Sequence, residues 1–259
     1  MTHERRSGAG RARWLVMICG LAVTSLLAEG AVAEEDGPAG TMADEVMAEH
    51  SIFTWFQADQ FEYRLNDGQD SFNWEAQGWV GSDDEKAWLK TEGAVPLDGP
   101  VEEAEVQLLY SRRISDFFDA QAGIRYDIRP EPERGFAVLG IQGLAPYFFE
   151  VGAAAFVSNE GEVSARFEAE YDLLVTQRLI LQPAAEINVA IQEVEERGVG
   201  SGINDIELGL RLRYEFAREF APYIGVNWER KLGRTADLAR DEGEDVSDVS
   251  FVGGIRFWF

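Results

Sequence analysis

From about residue 50 onward, apolar and polar side chains alternate along the chain. Phe72, Trp74, Ala76, Gly78 and Val80 are separated by Asn73, Glu75, Gln77 and Trp79. Val163, Ala165, Phe167, Ala169, Tyr171 and Leu173 alternate with Ser164, Arg166, Glu168, Glu170 and Asp172. Ile206, Leu208, Leu210, Leu212, Tyr214 and Phe216 alternate with Glu207, Gly209, Arg211, Arg213 and Glu215. Successive strand side chains point to opposite faces, so a period of two predicts strands with one apolar and one charged face. Helices would need apolar spacings of three and four, which these stretches lack.

Twelve such segments are predicted, centred near Phe61, Ala76, Leu89, Val106, Ala122, Leu139, Ala153, Phe167, Ala185, Leu210, Val226 and Ile255, and the spacing accommodates 10–14. Turn-forming runs separate them, among them Asn66-Asp67-Gly68, Ser82-Asp83-Asp84, Asp98-Gly99-Pro100 and Ser158-Asn159-Glu160-Gly161. About 17 residues per segment fits strands of ~9–11 residues plus turns. Short links (Arg112 to Asp116, Gly143 to Pro146, Val175 to Gln177, Ala217 to Phe220) alternate with longer ones, the longest being Glu193 to Asn204 and Lys231 to Ser247. Short turns at one end and long loops at the other belong to outer-membrane barrels, where the short turns are periplasmic. The final strand carries Val249, Phe251, Gly253, Ile255, Phe257 and Phe259 on one face and ends on phenylalanine, resembling the C-terminal signal of such barrels. A soluble sandwich of twelve amphipathic strands would leave sheet edges to protect. Closure removes the edges, and in lipid strands require it. The expected fold is therefore all-β, a transmembrane antiparallel up-and-down β-barrel of about 12 strands.

Composition sharpens this picture. The 259 residues include 47 Asp or Glu against 23 Lys or Arg, a net charge of -24, which argues against a nucleic-acid partner. Residues 1–33 read as a cleaved signal peptide: Arg5, Arg6, Arg11 and Arg13, an apolar stretch from Trp14 to Ala28, and Ala31-Val32-Ala33 as cleavage site. Removing them takes away four bases and two acids and leaves a net charge of -26. The single cysteine, Cys19, goes too, so no disulfide supports the exported chain. Residues 34–50 read as a mobile acidic arm and residues 51–259 as the barrel, placed in the bacterial outer membrane.

If the apolar faces meet lipid, the polar faces line the lumen. That assignment puts fifteen acids inside: Glu62, Glu75, Glu92, Glu103, Glu105, Asp119, Asp127, Glu150, Glu168, Glu170, Asp172, Glu186, Glu207, Glu215 and Glu229. Seven bases join them: Arg64, Lys90, Arg125, Arg166, Arg211, Arg213 and Arg256. Many of these charges are expected to pair as Arg–carboxylate across neighbouring strands. The surplus of acids would concentrate cations and repel anions. Catalysis is not expected. His50, the only histidine after residue 33, precedes the first strand, which removes a Ser–His or Cys–His pair from the barrel.

Longer runs carry a specific likeness. They are Trp88 to Gly93 (WLKTEG), Ala104 to Arg112 (AEVQLLYSR), Arg129-Pro130-Glu131-Pro132, Gly140 to Val151, Glu168 to Pro183, Gly200 to Glu215 and Arg218 to Lys231. Through them the chain resembles the copper-resistance protein B family of bacterial outer membranes, from about residue 50 to the C-terminus. The resemblance implies a role in copper homeostasis, copper ions bound weakly or transiently rather than as a catalytic cofactor, and a periplasmic multicopper oxidase as partner. Family arms are often rich in Met and His, a soft thioether suiting Cu(I) and imidazole Cu(II). Here Met42, Met47 and His50 are the candidate metal ligands, enough for one ion and too few for many. A general cation-selective porin and a docking barrel for the oxidase are the alternatives.

Overall fold

The computed structural model describes residues 52–259 except Asp67. The expected signal peptide and arm, with Met42, Met47 and His50, lie outside the described residues. Twelve long antiparallel strands follow one another: β1 (Phe53–Leu65), β2 (Ser71–Gly81), β3 (Glu85–Pro96), β4 (Glu103–Arg113), β5 (Phe118–Arg129), β6 (Arg134–Ala145), β7 (Phe149–Ser158), β8 (Val163–Tyr171), β9 (Leu179–Ala190), β10 (Gly202–Tyr214), β11 (Phe220–Lys231) and β12 (Ser247–Trp258). The two-residue strand Leu173–Leu174 continues the β8 ladder along β9 past Asp172. All twelve predicted centres fall inside these strands.

Each strand pairs with its sequence neighbour, and β12 pairs back onto β1, closing the barrel. The terminal phenylalanine takes part in the seam. Phe56 N–H donates to the Phe259 carbonyl (3.1 Å), and Phe259 N–H donates to the Phe56 carbonyl (2.9 Å). Closure leaves no edge, so the backbone of every wall strand is hydrogen-bonded, as a lipid setting demands.

The burial pattern is inverted relative to a soluble protein. Leu139, Ile224 and Phe251 are 68%, 67% and 65% exposed, whereas Glu62 and Asp127 are 0% and 1% exposed. Apolar side chains outward and charged ones inward is the arrangement that suits hydrocarbon outside and a polar tube inside. The polar lining is interrupted at one place. Trp88, Leu109, Val138 and Phe156 form a buried apolar cluster inside the lumen, with Trp55, Trp79 and Phe136 packed against it. One stretch of the wall, from β1 to β7, is thus partly apolar on its inner face.

The links at one end are short, for example the three residues 82–84 between β2 and β3. At the other end lie the two long connections, 191–201 and 232–246. The second, expected as a loop, contains a helix, α1 (Gly233–Glu242). Ala236 and Ala239 sit on its buried side, and Gly243 ends it in the left-handed conformation (φ 81°), donating its N–H to the Ala239 and Arg240 carbonyls. The 191–201 connection packs directly on this helix. Gly200 N–H donates to Thr235 Oγ1 (2.9 Å), and a Cβ on Gly200 would lie 2.3 Å from the Thr235 nitrogen.

Candidate functional site: the lumen

The register brings like charges together. Glu75, Glu92, Glu105 and Asp127 stand directly opposite one another in succession across β2 to β5. Glu168, Glu186, Glu207, Glu229 and Asp248 do the same across β8 to β12. Glu150 of β7 faces Glu170 of β8. Like charges directly opposite are destabilising, so these two ladders need cations from elsewhere. Of the many Arg–carboxylate pairs expected across neighbouring strands, the structure has Arg125–Glu105, Arg166–Glu186 and Arg256–Asp59. Most arginine partners arrive along a strand or from further round the barrel.

One set of carboxylates is held in this way. Glu62 accepts from Arg211 Nε and Nη2 (3.0 Å each), from Arg64 Nε (2.8 Å) and from the Tyr223 hydroxyl (2.9 Å). Arg64 also reaches Glu207 (3.1 Å). Glu105 accepts from Arg125 (2.6 Å), Arg166 (3.3 Å) and Gln107 (2.6 Å). Arg166 further binds Glu92 (2.8 Å) and approaches Glu186 (3.4 Å). Asp127 is shared by Arg125 (2.6 Å) and Arg197 (2.7 Å). Arg213 pairs with Asp172 (2.5 Å), Lys86 with Asp119 (2.7 Å) and Arg256 with Asp59 (3.2 Å). Lys90 donates to Gln142 (3.0 Å).

A second set has no such partner. Among the described residues no Lys or Arg pairs with Glu75, Glu150, Glu168 or Glu170; Gln60 donates to Glu75 (2.9 Å) and Gln182 to Glu170 (3.0 Å). These four line a cavity of about 790 Å³ that reaches the short-turn end, where Asp116, Phe117 and Leu144 also border it. Trp55, Trp88 and Val138 form part of its apolar wall. Asn227 Oδ1 and Gln121 Nε2, on residues that line the same chamber, have no hydrogen-bond partner among the described residues. A smaller chamber of about 250 Å³ lies toward the long-loop end, bordered by Glu103, Asp205 and Arg197 among others.

Glu160, Glu162 and Glu196 bring carboxylate oxygens within 4.8 Å of one another at the long-loop end. Arg134 already binds all three, with Glu196 at 2.6 Å, so a guanidinium holds the place a metal ion would take. At Glu162 burial pushes the carboxyl upward, but the hydrogen bonds from Arg134 and Ser158 outweigh it and hold the group below the usual carboxylate value of 4.5.

Every acid and base assigned to the lumen from its parity lies on an inner face, ends in an ion pair with another inner group or borders a chamber, except Glu215. That residue falls just beyond the end of β10. The lumen charges expected from the sequence do not include Asp59, Lys86, Arg134 or Arg197, although Lys86 and Arg134 are in phase with the inward Trp88 and Phe136. An irregularity in the β1–β2 register between Ala58 and Gln60 lets both Asp59 and Gln60 border the larger chamber, and Arg197 sits in a connection where parity has no meaning.

The family model of the Copper resistance protein B precursor (CopB) matches residues 52–259. Copper resistance protein B of Escherichia coli is 44% identical over 227 residues, covering 88% of this chain and 76% of that protein. The Copper resistance protein B homolog of Pseudomonas syringae pv. tomato is 44% identical over 210 residues, covering 81% and 71%. Among solved structures, the NanC porin superposes with a TM-score of 0.52 at 12% identity, covering 79% of this chain and 99% of that one, a likeness of fold alone.

Proposed function

The chain belongs to the copper resistance protein B family and has the fold of an outer-membrane β-barrel, and from that premise we propose that it binds copper ions, as cargo, on the unpaired carboxylates of its larger chamber. The observation that supports this reading is the pair of carboxylate ladders. Opposed acids are stable side by side only when protonated or when cations sit among them, and Glu75, Glu150, Glu168 and Glu170, each opposite another acid, form no ion pair with a Lys or Arg among the described residues.

The donor set bears on the ion. No Met, His or Cys occurs from residue 51 to 259, so the barrel offers oxygen ligands. Cu(I) prefers thioether and thiolate, whereas Cu(II) binds a given oxygen or nitrogen site more tightly than the other first-row divalent ions. The barrel therefore favours Cu(II), held weakly enough to exchange, and Met42, Met47 and His50 supply the softer ligands for a single further ion. The protein acts as a binder rather than an enzyme, in the outer membrane, and its short-turn end faces the periplasm, where a multicopper oxidase could receive copper from the chamber.

Copper titration of the purified mature protein tests this, beside two variants: Met42→Ala/Met47→Ala/His50→Ala and Glu75→Gln/Glu168→Gln/Glu170→Gln. Weak Cu(II) binding kept in the first variant and lost in the second is the expected result. Binding that persists unchanged in the second removes the chamber from the account.

A further inference from the structure

We propose that the lumen is not a through-pore: Arg166 struts the barrel at mid-height, so the larger chamber is a blind compartment that ions enter and leave only at its short-turn end.

Arg166 projects from β8, and its guanidinium is bound by Glu92 on β3 (2.8 Å) and Glu105 on β4 (3.3 Å). In a ring of twelve strands, β3 and β4 stand nearly across from β8, so this one side chain crosses the lumen. Glu186 and Asn188 of the adjoining β9 steady its other side (3.4 Å each). Phe156 fills the space beside it. The Arg166 guanidinium carbon lies 6.0 Å and that of Arg125 4.9 Å from the Phe156 ring centre, both within cation–π range. The two chambers meet only here, since Glu92, Glu105, Phe156 and Arg166 are the residues common to their linings.

The barrier is electrostatic as well as steric. A cation drawn into the acidic chamber meets two fixed guanidinium groups, and an anion is repelled before it reaches them. A second closure lies further out, where Arg197 of the 191–201 connection is tied to Asp127 (2.7 Å). The proposal does not depend on copper, and its probe is potassium chloride alone, so its failure would leave the copper reading to the titration above.

Three forms of the purified protein are placed in planar bilayers in potassium chloride: the natural sequence, a form with residues 193–199 replaced by a short Gly-Ser linker, and that shortened form carrying Arg166→Ser/Phe156→Ala. Membrane insertion and a strand-type circular dichroism spectrum establish folding. The first two are expected to give no resolved conductance steps. The third should give steps that favour cations over anions about tenfold or more, because Glu92, Glu105 and Glu186 then line the opening. If the strut variant does not fold, Arg166→Gln/Glu92→Gln takes its place, cutting the cross-lumen bond with no change in net charge. Steps in either of the first two forms would overturn the proposal, and so would a folded strut variant that stays silent.

Discussion

Glu62 and Glu75 point into the same lumen from neighbouring strands, yet their surroundings differ in kind. Glu62 is fully buried and accepts four hydrogen bonds, three of them from guanidinium groups. Glu75 stands opposite Glu92 and is met by one glutamine. The same contrast separates two groups of lumen acids: an arginine-bound belt running through Glu62, Glu105 and Asp127, and the chamber acids Glu75, Glu150, Glu168 and Glu170, which form no ion pair with a Lys or Arg among the described residues. Buried charge is tolerated only when paired, so the belt reads as the barrel's internal scaffold. Those four acids are held by glutamine hydrogen bonds at Glu75 and Glu170 and by no ion pair among the described residues, which makes them the groups free to bind a cation.

Removing the Glu62 charge should have the largest effect. Glu62→Gln leaves Arg211 and Arg64 without their shared carboxylate, and breaking such a pair costs about 3 kcal/mol or more. Denaturant unfolding in lipid vesicles measures the loss, while Cu(II) binding by the folded fraction should stay unchanged. An effect under 1 kcal/mol would dissolve the distinction between the two groups. The chamber should answer in the opposite sense. Glu75→Gln/Glu168→Gln/Glu170→Gln relieves the opposed pairs with Glu92, Glu186 and Glu150, so unfolding should be unchanged or shifted toward greater stability by about 0.2–1 kcal/mol per pair. A destabilisation of several kcal/mol in the same assay would show that these acids are structural after all.

The outer wall could be read directly from residue order, because the period of two is a local property and each apolar face needs only lipid to satisfy it. The lumen could be read only as a list of charges. Which carboxylates are bound depends on closure: Arg166 and Glu92 are 74 positions apart, and only the ring places them together. Parity places the inner aromatic cluster inward but does not tell that these positions are apolar. Trp79 is in phase with Glu75 and Gln77, yet Trp88 and Phe156 show that an inward position can be apolar where the interior is filled rather than wet. Helix α1 falls in the stretch from Lys231 to Ser247, which reads as a long loop because no alternation runs through it. Ala236, Ala239 and the terminating Gly243 carry a helical spacing and stop.

The smallest effect concerns the closure at the long-loop end, where Arg134 joins Glu160, Glu162 and Glu196. These acids are more exposed than Glu62, so their pairing contributes about 1 kcal/mol or less. The direction of its pH dependence follows from Glu162, whose carboxyl is held below its ordinary value of 4.5. A group with a depressed pKa in the closed form stabilises that form fully above the ordinary value, and the contribution is lost as pH falls through the depressed one. Acidifying from pH 7 to pH 5 should therefore leave the closure intact, and loosening should begin only below 4.5. Hydrogen exchange at the amides of Val194 and Val199, which pair with each other's carbonyls across the 191–201 connection, reports it after correction for the intrinsic pH dependence of exchange. Protection should fall modestly in that acid range for the natural sequence. In Glu162→Gln it should be slightly lower at neutral pH and less dependent on acid. Protection that already falls between pH 7 and 5 would mean that the outer closure, unlike the arginine-bound belt, is not held by this carboxylate.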